Sequence, residues 1–242
     1  MSQTAKSAPI QNRILAALPA KEYARLLPHL TPVTLPLGEV LYKTEDRIQY
    51  VYFPNSGVVS FVAHMEEGAS VEVGLAGCEG MVGIPLVLGD DISPNEAIVQ
   101  IADGAMRMKA SVLVAELKRA GQLQVLLLRY ALAMVRQISQ TAACNRSHHV
   151  GERLARWLLT CHDRVHGDEL KLTQEFIAEM LGTRRSGVSE AAMLLQAAGF
   201  IRYARGHITL IDREGLEEFA CECYAAVKVE FDRLLGNHDG DL

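Results

Sequence analysis

The chain of 242 residues contains no uninterrupted apolar run of about eighteen residues, so a membrane-spanning helix is not expected. Cysteine is sparse and scattered. Cys78, Cys144, Cys161, Cys221 and Cys223 are odd in number and show no CxxC pair, which argues against a disulfide framework and against a clustered four-ligand iron–sulfur site. Reduced thiols are the expectation. No GxSxG, Walker loop, HExxH or GxGxxG occurs, and the pair Asp90-Asp91 falls in a turn-like, solvated stretch, so no catalytic activity is expected. No signal peptide is apparent either: Met1 to Pro9 is a polar tail, and a cytoplasmic protein without cofactor is expected. Bulk basicity is also missing, because the net charge is −5. Any attraction to a polyanion must therefore be local. With 49% hydrophobic and 22% charged residues, what remains is a globular chain long enough for two modest cores.

Ile10 to Leu30 has roughly helical apolar spacing, interrupted at Pro19. From Thr31 to Met108 the pattern changes to short β-prone runs: Val33–Leu35, Val40–Tyr42, Tyr50–Phe53, Val58–Val62, Val71–Val73, Ala97–Ile101 and Ala105–Met108. Glycine-containing turns separate them, a spacing that predicts a β-barrel or jelly roll. Within it, Cys78 lies in a glycine-bounded turn as a candidate sensing thiol. No basic neighbour in sequence lowers its pKa, and Glu79 should raise it.

Ala110 to Leu117 reads as a short helix and Leu123 to Ala142 as a long one. Leu123, Leu127, Tyr130, Met134 and Ile138 recur at heptad-like spacing, and the neighbours Val125, Leu126, Leu128, Leu132 and Val135 make the helix apolar nearly all round. It must bury two faces, one on the barrel and one on a second copy of the chain, with the first stripe assigned to dimerisation. Cys144 to His149 marks a hinge; adjacent His148 and His149 would point about 100° apart on a helix, which disfavours chelation of one ion. Val150 to His162 follows as a helix whose Trp157 anchors the second core. At the other end, Glu214 to Leu235 reads as one helix, with the thiols of Cys221 and Cys223 on different faces.

The most informative stretch is Leu172 to Asp212. Phe176, Ile177, Met180 and Leu181 stripe one short helix that Thr173 can cap and Gly182 can end. Val188, Ala191, Ala192 and Leu195 stripe a second, whose small alanines permit a close crossing. Two β-prone runs then meet at Arg205-Gly206, a hairpin turn. Arg184, Arg185, Ser186, Ser189, Glu190, Met193 and Gln196 fall on the side of the second helix away from its stripe. Between Gly182 and Leu210, four arginines face one glutamate. Such a basic face, followed by a basic hairpin, suits the DNA major groove.

This stretch resembles the winged helix-turn-helix of the cyclic-AMP receptor protein and fumarate-nitrate reduction regulator (Crp/Fnr) family, whose motif G-x-[ST]-R-E-[TS]-V-[SG]-R runs here from Gly182 to Glu190. The resemblance implies an α+β fold: a cyclic-nucleotide-binding-like jelly roll, a long dimerisation helix and a C-terminal winged helix-turn-helix. It divides the chain into 1–120, 121–146 and 147–242. It also implies a homodimeric regulator that binds double-stranded DNA and can contact RNA polymerase. Arg185 stands where the family places a guanine-reading arginine, and guanidinium geometry suits guanine O6 and N7. Ser186 replaces the usual glutamate and Glu190 a common arginine. A glutamate can accept from cytosine N4 or repel phosphate. Ser186, Ser189 and Glu190 are expected to tune specificity, and Thr173, Gln174, Arg184, Arg202, Arg205 and His207 to hold phosphates.

The barrel is similar to the family's nucleotide-binding domain through LPLGEVLYK, YVYF and Gly80-Met81-Val82-Gly83. Its ligand chemistry is altered: the places of the ribose-binding glutamate and the phosphate-binding arginine fall to Ile84, after Gly83, and to Asn95, beside Glu96. An aliphatic side chain cannot accept from a ribose hydroxyl, and a neutral amide beside a carboxylate is a poor host for phosphate. Control by cyclic AMP is therefore not expected. The barrel either gates DNA binding through another effector or a thiol signal, or binds nothing.

Overall fold

Strand placement follows the alternation of apolar residues. In the computed structural model, which describes residues 10–236, Val51 and Phe53 of the Tyr-Val-Tyr-Phe run are fully buried while Tyr50 and Tyr52 lie half exposed. All seven expected strands form: β1 (Thr31–Leu35), β2 (Val40–Tyr42), β3 (Tyr50–Pro54), β4 (Val58–His64), β5 (Ser70–Ala76), β6 (Glu96–Ile101) and β7 (Asp103–Lys109). They make two antiparallel sheets, ordered β1-β7-β3 and β2-β6-β4-β5. Two short helices, α1 (Arg13–Ala16) and α2 (Ala20–Leu26), precede them, with Pro19 as the N-cap of the second. The polar tail expected at Met1 to Pro9 lies outside the described residues.

After α3 (Ala110–Leu117) comes α4 (Gln122–Ser147), 26 residues and so about 39 Å long. Gln137 fastens it to the barrel by accepting the Leu75 N–H at 2.8 Å. Tyr130 lies against Gly80, where any Cβ would approach its ring to 2.3 Å; only glycine fits beneath the ring.

The expected dimerisation stripe is corrected by this packing. Leu123, Leu127, Tyr130 and Met134 are buried in the chain's own barrel core, because α4 lays that face on the jelly roll. The face left uncovered carries Val125, Leu128, Leu132, Val135 and Ile138, and Leu132 and Val135 are more than half exposed, at 51% and 57%. Of the stripe first assigned to dimerisation, only Ile138 shares this face.

The second domain comprises α5 (Val150–His162), β8 (Glu169–Lys171), α6 (Gln174–Met180), α7 (Arg185–Ala197), β9 (Ile201–Ala204), β10 (His207–Leu210), α8 (Arg213–Phe219) and α9 (Cys223–Leu235). Trp157 sits in its core as expected, with Leu158, Ile177, Val188, Leu195 and Ile208. That core is not closed by the domain alone, since Val58, Val62 and Leu75 from the outer face of β4 and β5 complete it. Polar groups line the same seam. Glu72 of β5 accepts from the Trp157 indole N–H at 3.0 Å and from the Ser60 hydroxyl at 2.6 Å. Burial pushes its carboxyl up to about 7, against the opposing pull of the Ser60 hydrogen bond and Arg156. Nearby, Arg164 pairs with Glu79 at 2.9 Å, both side chains buried.

The single helix expected over Glu214 to Leu235 is two. Ala220 takes an extended conformation and breaks it, because α8 packs on α5 whereas α9 packs on α4, and one straight rod cannot follow both. The break overturns the expected separation of thiols. Cys221 and Cys223, read as lying on different faces, converge with Cys144 in a small buried cluster apart from both apolar cores.

Candidate nucleic-acid interface

Helix α6 begins where Thr173 accepts the Phe176 N–H at 3.2 Å, and it ends before Gly182, whose φ of 57° lies in the left-handed region. The second helix, α7, starts with Arg184 as its extended N-cap. Its stripe of Val188, Ala191, Ala192 and Leu195 is buried, leaving Arg185, Ser186, Glu190, Met193 and Gln196 exposed on the far side. Ser189 donates to Gln174 Oε1 at 2.7 Å and so pins the two helices at their crossing. Behind them, the Arg153 guanidinium donates to the Leu181 carbonyl at the end of α6.

The wing is the β9–β10 hairpin, and β8 adds an outer strand on β10 that periodicity did not reveal in so short a segment. Arg205 and Gly206 both have positive φ, 52° and 79°, the signature of a type I′ turn. Gln196 of α7 accepts the Tyr203 N–H at 2.8 Å, and the Tyr203 hydroxyl donates to the Leu172 carbonyl at 3.0 Å. The wing is thereby held at a fixed distance from the recognition helix.

Between these elements lies a cleft of about 550 Å³. Thr173, Gln174, Arg185, Ser189 and Arg205 line it, together with Glu175, Met193 and Tyr203. Glu175 and Tyr203 were not singled out from the sequence. Glu175 approaches Arg185 Nε at 3.8 Å with both side chains largely exposed, a contact worth little in water and easily exchanged for a base or phosphate. Arg184, Ser186, Glu190 and Arg202 are exposed outside this cleft. Among the described residues, Arg184, Arg202 and Arg205 make no ion pair. His207 differs, because its Nδ1 meets Glu169 Oε1 across the wing at 2.5 Å.

In the barrel, Gly83 starts a 3₁₀ turn in which Ile84 packs partly buried on the apolar core, while Glu96 faces His64 at 3.5 Å and the Asn95 carbonyl accepts from Ser93 at 2.6 Å. Two clefts on the barrel are lined by other residues, including Tyr42, Arg47 and Tyr50. Cys78 is half-buried, and burial first, then Glu79, raises its thiol to about 11; the structure does place cations near it, Arg164 and Arg13, which pull weakly the other way. Among the described residues, no helix is long and apolar enough to cross a membrane.

Residues 152–219 match the Crp-like helix-turn-helix domain family, a span that contains the whole α6–α7 motif and the wing. The chain thus carries a Crp-like helix-turn-helix domain. The fold of most of the chain has counterparts among solved structures. FixK2 from Bradyrhizobium japonicum superposes with a TM-score of 0.68 at 19% identity, covering 79% of this chain and 98% of that one. TTHB099, a CRP-family regulator from Thermus thermophilus, gives 0.62 at 19% identity, covering 78% and 96%. CLP from Xanthomonas campestris, described as a c-di-GMP-responsive global regulator, gives 0.58 at 18% identity, covering 79% and 99%. At these identities the likeness speaks for the fold alone. No curated protein matches the chain's sequence.

Proposed function

We propose that this chain is a Crp/Fnr-type transcriptional regulator that acts in the cytoplasm as a homodimer on a pseudo-palindromic operator, independently of cyclic AMP. The observation that carries this reading is the exposed face of α7, where Arg185, held only by a loose contact to Glu175, stands beside a wing that presents Arg202 and Arg205. Arg185 reads a base, Ser186, Ser189 and Glu190 adjust the preference, and Thr173, Gln174, Arg184, Arg202, Arg205 and His207 hold phosphates. Two copies related by a twofold axis would engage half-sites about 34 Å apart. The uncovered apolar face of α4 supports the dimer, since Val125, Leu128, Leu132, Val135 and Ile138 form a continuous stripe that water leaves unsatisfied. Residues 1–120, 121–146 and 147–242 then serve as sensor-like barrel, dimer helix with hinge, and DNA-binding unit. RNA polymerase is the partner through which bound protein would activate.

Independence from cyclic AMP rests on Ile84, which cannot accept from a ribose hydroxyl, and on Asn95 beside Glu96, which offers the phosphate no cation. A second reading has its own support: another effector gates the protein through the barrel. The turn glycine Gly182 lies against Val71 of β5, and Glu72 bonds Trp157, so a shift in β5 reaches the recognition motif directly. Titration calorimetry with cyclic AMP, cyclic GMP and cyclic di-GMP, alongside the solution mass of the wild type and of Leu132→Asp, tests both points. No heat with cyclic AMP, a dimeric wild type and a monomeric variant are expected. Micromolar binding of cyclic AMP, or a monomeric wild type, would overturn the corresponding part.

A further inference from the structure

Three of the five cysteines that looked scattered in sequence meet at the joint between the two domains. Cys144 and His148 stand one helical turn apart at the end of α4, on one face because they are spaced i, i+4. The break between α8 and α9 turns Cys221 and Cys223 toward them. The three sulfurs and one imidazole nitrogen all lie within 4.8 Å of one another. Cys144 Sγ is 3.5 Å from Cys221 Sγ, and Cys223 Sγ is 3.6 Å from His148 Nδ1. A tetrahedral zinc ion with bonds of about 2.3 Å to sulfur and about 2.0 Å to nitrogen sets edges of roughly 3.8 Å and 3.6 Å. The observed separations match such a cage and are too short to surround a polynuclear cluster.

The surroundings have the form of a ligand shell as well. While Nδ1 of His148 faces the sulfurs, Nε2 meets the Glu222 carboxylate at 3.2 Å, the outer hydrogen bond that fixes the tautomer and orientation of a metal-bound imidazole. Gln140, one turn before Cys144, donates to Cys223 Sγ at 3.1 Å. Two buried arginines, Arg153 and Arg156, lie within electrostatic range of the cluster, each with an Nε that has no hydrogen-bond partner. Buried cations without full partners call for anionic neighbours, and three thiolates on a divalent ion carry a net negative charge. The cysteines do not serve either apolar core.

We propose that Cys144, His148, Cys221 and Cys223 form a tetrahedral zinc site that clamps the start of α9 to the end of α4. His148 is the C-cap of α4 and His149 the N-cap of α5, so the ion sits at the joint on which the DNA-binding domain is hung. With all four positions taken by protein, the site is closed, and it is structural rather than catalytic. The thiols release their protons to solvent as the ion binds.

The test is metal analysis of full-length protein purified under reducing conditions without a histidine tag, followed by chelation and titration of the apoprotein with Co²⁺. About one zinc per chain is expected, and intense visible ligand-field bands with thiolate charge transfer on adding Co²⁺. Cys223→Ser and His148→Ala should weaken the metal at least tenfold, Glu222→Gln by about 10- to 100-fold or somewhat less, and Cys78→Ser not at all. Circular dichroism of each variant separates loss of metal from loss of fold, and the wild-type Co²⁺ spectrum does not depend on any variant. Zinc-free protein that gives no bands would overturn the proposal. So would a Cys144–Cys221 disulfide found by mass spectrometry in the reduced preparation, or zinc retained equally by Cys223→Ser and His148→Ala.

Discussion

The exposed face of α7, the proposed reading face, and the seam between barrel and helix-turn-helix domain use charge in opposite ways. On the reading face, Arg185 and Glu175 meet loosely in solvent at 3.8 Å, and several arginines have no partner at all among the described residues. At the seam, Arg164 and Glu79 meet at 2.9 Å in the interior, and Arg164 also donates to the Thr160 carbonyl at 2.7 Å. An exposed cation keeps its affinity available for a polyanion, whereas a buried one has its charge committed to holding two domains together. The difference teaches that arginine count locates neither role; exposure and partner decide.

The contrast can be broken most severely at the seam. Arg164→Ala should destabilise the protein by about 3–5 kcal/mol, because Glu79 would stay buried with its charge uncompensated. Urea denaturation measures this, and a loss below about 1 kcal/mol would mean the seam opens readily to water. Next in size is a pH effect. The folded protein holds the Glu72 proton to about pH 7, whereas the unfolded chain releases it near the ordinary value of 4.5. The native state therefore binds more protons in that window, and this group's stabilisation is complete below about pH 4.5 and is lost as the pH rises to about 7. About 3 kcal/mol is at stake. Glu72→Gln should flatten that slope; an unchanged slope would assign it to another group.

On the reading face the effects are smaller and fall on binding, not folding. Arg185→Ala should cost about 1–3 kcal/mol on the specific site and relax preference at one base pair. Its unfolding free energy should stay within about 0.5 kcal/mol of wild type, as for an exposed side chain without committed partners. Arg205→Ala should weaken specific and random DNA alike and lower the salt-dependence slope by about one. A loss confined to one sequence would make Arg205 a base reader.

The same contrast governs what was legible from sequence. The seven barrel strands and the α6–α7–wing motif are local: alternation, caps and a positive-φ turn are written within a few residues, and so is the basic face. The seam is not. Glu72 and Trp157 are 85 residues apart, and nothing around either residue announces the other. Helix α4 shows the limit most clearly, because a rod apolar nearly all round does not say which stripe meets its own barrel. The break at Ala220 carries no glycine or proline; it arises because α8 and α9 pack on different helices, and that alone gathers the cysteines.

The central claim is that the exposed face of α7 reads DNA as a pair. Selection of the purified full-length protein on a random double-stranded oligonucleotide pool, run beside Arg185→Ala, tests it most directly. A pseudo-palindromic motif with half-sites one helical turn apart, losing information at one symmetric position in the variant, is the predicted result. Enrichment of no motif, or of the same motif at undiminished information with Arg185→Ala, would contradict it.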